Sequence, residues 1–144
     1  MRKFTPTDLM RFFISPYETW ANRYSSEIDS SIFEKDPEDE FLAMAARKGD
    51  EHESKILKEY QDKKLSIRMI PPDGPRDARV EATIQAMRDG SDVIYQGSLE
   101  NEFFFGKTDF LVKKKGKSKF GKFKYEILDA KLARRAKAEH IIQL

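Results

Sequence analysis

Thr108–Ala130 reads TDFLVKKKGKSKFGKFKYEILDA, and the way this stretch folds decides the architecture. Both ends are rich in aromatic and branched apolar residues, while the middle is lysine and glycine. That pattern predicts two strands, within 102–114 and 123–133, joined by a polar lysine-rich loop. If the chain turns near Lys119, Asp109 and Asp129 stand ten residues from the tip on opposite arms. Directly opposed residues of an antiparallel pair have Cβ atoms about 4.5–5.5 Å apart. Two carboxylates held that close are destabilising unless a cation lies between them.

Side chains alternate faces along a strand. Tyr125, Ile127, Asp129 and Lys131 therefore share one face of the second arm. An aspartate and a lysine at the end of an apolar face are either a solvated ion pair or a site. The opposing Asp109 favours a site. Hard Mg2+ or Mn2+ prefers oxygen ligands and is often held by one or two carboxylates, with water and substrate phosphate. Lys131 would then stand beside the phosphate, where an ammonium orients water or stabilises developing charge. This is equipment for metal-assisted phosphodiester hydrolysis.

The surrounding composition agrees with that chemistry. The chain has 144 residues, 39% hydrophobic and 36% charged, with a net charge of +2. That suits a single domain, 1–144, with a helical part over 1–62 and a sheet-containing core over 63–144. Cysteine is absent, which excludes disulfides, thiolate metal sites and a cysteine-ligated iron–sulfur cluster. No apolar run is long enough to span a bilayer, and the opening residues lack a secretory h-region. A soluble, cytoplasmic chain with no membrane partner is expected. The lysine-rich loop over 113–124, with Lys113, Lys114, Lys115, Lys117 and Lys119, is either a solvated loop or a patch that grips a phosphate backbone.

Upstream, Thr5-Pro6-Thr7-Asp8 and Ser15-Pro16-Tyr17-Glu18 each offer an N-cap, a proline at N1 and an acid at N3. Two consecutive helices follow, the first ending near Ile14. Leu9, Phe12, Phe13 and Trp20 are expected core contacts. A polar, irregular segment spans 25–35. A long helix is expected from Asp36 to about Asp62, with Phe41, Ala45, Gly49, His52, Ile56 and Tyr60 as its apolar stripe. Next come a strand over 65–70, a loop over 71–77 and a helix from Ala78 to Asp89, stopped by Gly90. A strand over 92–99 leads through Glu100-Asn101 into the first quoted arm, and a helix begins near Lys137. An α+β or α/β domain with a central sheet follows.

His52 is a further candidate ligand. A histidine on a helix stripe is commonly buried against a carbonyl. Gly49, about one turn before it, costs about 1 kcal/mol relative to alanine in a helix interior and would permit another segment to approach that face. Glu53 falls on a different helix face and is secondary.

These residues resemble the RecB-like branch of the PD-(D/E)xK nuclease superfamily over nearly the whole chain. The stretch TPTDLMRFFISPYETWANR is similar to the family's opening helices, and RKGDEHESKILKEY to its histidine motif. ATIQAMRDGSDVIYQGSLENEFFFGKTDFLV resembles the segment leading to its first catalytic aspartate. YEILDAKLARRAKAEHIIQL resembles its acid-x-lysine strand and the start of its glutamine helix. A single acid-x-lysine match means little, whereas four motifs in order are specific. The resemblance implies that His52, Asp109 and Asp129 bind Mg2+ or Mn2+, with the Ala130 carbonyl as a further ligand, and that Lys131 is catalytic. It implies that Gln143 helps to orient substrate and that DNA, single- or double-stranded, is the substrate. The implied fold is a restriction-endonuclease-like core: a mixed central β-sheet flanked by helices, behind an all-helical N-terminal part. Asp129 stands where many relatives have glutamate, and Thr108 where the superfamily's name has proline. The family's glutamine motif continues to a tyrosine beyond Leu144, so the resemblance implies a nuclease domain incomplete at its C-terminus. Relatives continue into helicase or RNase H-like regions. A catalytically incomplete module that binds nucleic acid through residues 113–124 is the alternative.

Overall fold

A computed structural model describes residues 3–33 and 40–130. Both expected caps are formed. Helix α1 (Pro6–Ile14) opens with a reciprocal box in which the Thr5 hydroxyl accepts from the Asp8 N–H and the Asp8 carboxylate accepts from the Thr5 N–H. Helix α2 (Pro16–Glu27) is capped by Ser15, which accepts from the Glu18 N–H. Both caps satisfy amides that have no partner inside the helix.

Helix α3 (Glu40–Asp62) ends where the stripe ends; its expected start near Asp36 lies outside the described residues. Strand β1 (Ile67–Met69) leads through helix α4 (Arg76–Arg88) to β2 (Val93–Glu100). Gly90, at φ 72°, takes the left-handed backbone that ends α4. Strands β3 (Phe105–Ser118) and β4 (Gly121–Leu128) complete a sheet of order β1-β2-β3-β4. β1 is parallel to β2 across the α4 crossover, and the other pairs are antiparallel. The expected mixed sheet with flanking helices is therefore present. The β2–β3 connection is longer than the expected two residues: the Asn101 side chain accepts from the Phe103 and Phe104 N–H groups.

The core lies between α4 and the sheet, where Ile70, Ala86, Ile94 and Leu111 pack together. Thr83 ties the two layers by accepting from the Ser98 N–H at 2.9 Å while donating to the Arg79 carbonyl. Elsewhere Phe110 is fully buried between Tyr60 of α3 and Tyr95 of β2.

Three expectations need correction. The lysine-rich stretch is no loop: β3 continues to Ser118, only Lys119 and Phe120 form the turn, and β4 starts at Gly121. The pairing compensates for poor strand formers, because Lys113 faces Tyr125 and Lys115 faces Phe123. Lysine stems can then lie along ring faces. Phe12, Phe13 and Trp20 are exposed rather than core, and Leu9 is half-buried. α1 and α2 pack chiefly on each other, and Trp20 gathers Tyr17, Tyr24 and Phe33 into a lateral aromatic cluster. Gly49 is not a point of close approach: among the described residues nothing lies within 4 Å of a Cβ built there.

Candidate functional site

The β3–β4 register sets the site. Phe110 pairs with Leu128 and Leu111 with Ile127, so one step further Asp109 stands opposite Asp129. The two carboxyls lie within reach of each other, and Asp109 Oδ2 accepts from the Ala130 N–H at 2.7 Å. Two carboxylates this close repel, which favours the protonated form of one of them. Burial, then the Asp129 contact, push the Asp109 carboxyl up to about 6; the Ala130 amide opposes this and the charge of Glu53 adds to it. A carboxyl raised in this way occupies a place where negative charge is poorly supported.

The hairpin is fixed at its root. Lys113 reaches the turn after α4, donating to the Gly90 carbonyl at 2.6 Å and pairing with Asp92 at 2.6 Å. The Tyr125 hydroxyl donates to the neighbouring Ser91 carbonyl at 2.6 Å. Asp92 also accepts from the Ser66 N–H and hydroxyl. Its carboxyl is held down to about 2, chiefly by Lys113 and then by Ser66. Lys113 is thus committed to the fold. Lys114, Lys115, Lys117 and Lys119 are exposed along the arm, with Lys119 over the Phe120 ring.

From α3, Glu53 is the residue that reaches the sheet beside the acids. Its carboxylate accepts from the Gln96 side chain and lies close to the Tyr95 hydroxyl. Gln96 adopts a left-handed backbone, φ 56°, inside β2, a strained conformation for a residue with a side chain. Burial, then Glu53, raise the Tyr95 hydroxyl above its ordinary value. His52 is half-buried, and no hydrogen bond or ion pair joins it to another described residue. The helical period explains the difference. Glu53 precedes Tyr60 by seven residues and so shares its face, whereas His52 is rotated by nearly a quarter turn. That heptad spacing was the available signal for Glu53.

Asp109 and Asp129 are brought together as expected, and Ala130 joins them through its N–H. Lys131 and Gln143 lie outside the described residues. Among the described residues no three His, Cys, Asp or Glu side chains form a metal-holding group. The aspartate pair nevertheless suits a hard divalent ion in its donor chemistry, since oxygen ligands from one or two carboxylates suffice when water and phosphate complete the shell. The raised Asp109 carboxyl marks a place where positive charge would be favourable.

The acids open into a cavity of about 310 Å³. Lys107, Asp109, Ile127 and Asp129 line it, with Thr5, Pro6 and Thr7 forming the opposite wall. Phe4 holds that wall in place: its N–H donates to the Phe103 carbonyl and its carbonyl accepts from the Phe105 N–H, both at 2.9 Å. Among the described residues no helix is long and apolar enough to cross a membrane. Comparison with protein-family models, with curated proteins and with solved structures finds no match to this chain.

Proposed function

We propose that the chain is a metal-dependent nuclease of the RecB-like PD-(D/E)xK type, hydrolysing DNA phosphodiester bonds in the cytoplasm. One observation carries the reading: two aspartates from adjacent antiparallel strands meet carboxyl to carboxyl in an open cavity. The four sequence motifs that resemble this superfamily point the same way.

Asp109 and Asp129 would hold Mg2+ or Mn2+. Such an ion, when bound, supplies Lewis-acid charge to a phosphoryl oxygen and makes water a better nucleophile. The Ala130 N–H fixes one Asp109 oxygen and leaves the carboxylate oriented toward its partner. Lys131 follows Asp129 by two residues in the sequence and is the lysine of the acid-x-lysine pattern that resembles the superfamily's. An ammonium there offsets charge that develops on the phosphate. Glu53 is held by Gln96 beside Tyr95 and adds negative field beside the pair, which strengthens cation binding. The exposed lysines of the hairpin supply phosphate contacts without base readout.

The test is cleavage of plasmid and single-stranded DNA in Mn2+ by the parent chain, Asp109→Ala and Lys131→Ala. Cleavage lost in both variants, with unchanged far-ultraviolet circular dichroism, supports the reading. Equal cleavage in either variant refutes it. DNA binding without any cleavage favours the alternative, a binding module that uses the lysine-covered arm.

A further inference from the structure

Lys107 is the one cation lining the acid cavity among the described residues. It stands two residues before Asp109 on β3, and strand alternation gives the two a common face. Other cations near this end of the sheet have carboxylate partners. Lys3 and Arg76 pair with Glu100 at 3.1 and 3.3 Å. Lys107 forms no ion pair with a described residue, although two carboxylates share its cavity, and its side chain is exposed.

The cavity's chemistry is unbalanced without a ligand. Two acids demand a cation, and a bound cation carries unused positive charge that attracts an anion. Lys107 adds a second positive charge on the same wall. Thr7, across the cavity, offers a hydroxyl with no partner among the described residues, because the Thr5 hydroxyl and amide are taken by Asp8. The wall cannot swing away freely: Pro6 rests on Gly106, at 3.7 Å from the position of a Cβ there, and Phe4 is paired on both sides. A volume of about 310 Å³ lies at the small end of ligand pockets, which suits one phosphate with its sugar.

We infer that Lys107 is a phosphate-positioning residue, gripping the backbone phosphate of the nucleotide that enters the cavity beside the Asp109–Asp129 pair. This rests on the nuclease reading for its substrate, but it is measured separately. A lysine that neutralises one phosphate contributes one counterion to the salt dependence of binding; for single strands each contact adds about 0.7 to the slope of log K against log salt.

The experiment uses a short fluorescein-labelled single-stranded DNA and fluorescence anisotropy in Ca2+ across a salt series. Cleavage kinetics in Mn2+ accompany it. Lys107→Ala is expected to weaken binding about tenfold and flatten the salt slope by about 0.7. Lys107→Arg should retain the slope, and thermal melting should not distinguish the three proteins. In cleavage, KM should rise more than kcat falls. An unchanged slope in Lys107→Ala, or equal losses in the alanine and arginine variants, overturns the inference. Parent chain that never cleaves, with the slope change intact, upholds the phosphate contact and overturns the hydrolytic reading. Parent chain that cleaves, with the slope unchanged, overturns the contact alone.

Discussion

Asp109→Asn should stabilise the metal-free protein and abolish its response to metal. In the native state the Asp109 carboxyl is raised from 3.8 to about 6. A raised acid binds protons more tightly in the folded than in the unfolded chain, so folding loses stability as pH rises from about 4 to about 6 and nothing further above that. Taken in full, the difference is worth roughly 3 kcal/mol at neutral pH. Asp109 is only half withdrawn from water, and screening leaves about 1.5 kcal/mol. Asparagine keeps an oxygen for the Ala130 amide and a polar group for Asp129, but it has no charge to bury. For a chain of 144 residues, that gain corresponds to about 5 °C in Tm. Differential scanning calorimetry in EDTA should therefore show the two proteins melting together at pH 4. The variant should pull ahead between pH 4 and 6 and keep a constant lead to pH 8. Adding Mn2+ at about a hundredfold excess over its Kd should stabilise the parent by about 2.7 kcal/mol and leave the variant unmoved. A variant that melts below the parent at pH 7, or a gap that ignores pH, would refute the account of a buried, unsupported charge pair.

Glu53→Gln should lower the pH at which Asp109 titrates, because Glu53 is one of the charges that raise it; carboxyl chemical shifts followed by NMR would detect the change, and an unshifted midpoint would remove Glu53 from the site. Asp92 behaves oppositely to Asp109. Its depressed carboxyl stabilises the fold fully above about pH 4, and that contribution is lost as pH falls through about 2. The shift would be worth about 2.5 kcal/mol in a dry setting, but the side chain is 35% exposed, so about 1 kcal/mol is expected. Urea unfolding should show Asp92→Asn weaker by that amount at pH 7 and equal near pH 2. Gly97→Ala should cost about 1 kcal/mol in the urea midpoint without a change in slope, since its new Cβ meets Leu111 and Thr108 at 3.1 Å and Thr83 at 3.4 Å.

The parts of the fold written locally were legible. Thr5 and Ser15 announce their helices because capping needs only four neighbouring residues. The meeting of Asp109 and Asp129 was legible because hairpin register is arithmetic once the turn is known. The lysine-rich stretch misled because lysine and glycine are poor strand formers, and its strands are imposed by Tyr125 and Phe123 across the ladder. Glu53 was set aside as lying on another helix face because the α3 stripe was drawn through His52 rather than through the residue seven before Tyr60. Phe12, Phe13 and Trp20 were assigned to the interior on hydrophobicity alone, which does not say whether a partner surface exists.

The Phe4–Phe104 pairing has a consequence for how the molecule comes into being. Its two residues are 100 positions apart in the sequence, and the cavity it frames draws walls from residues 5–7, 105–109, 127 and 129. Such distant closures carry a large entropic barrier and form late. A nascent chain emerging from the ribosome would build α1, α2 and α4 from neighbouring residues long before the second aspartate existed outside the exit tunnel. Affinity for divalent ions should therefore switch on as one of the final events of folding, and it would serve as a spectroscopic clock for that closing step.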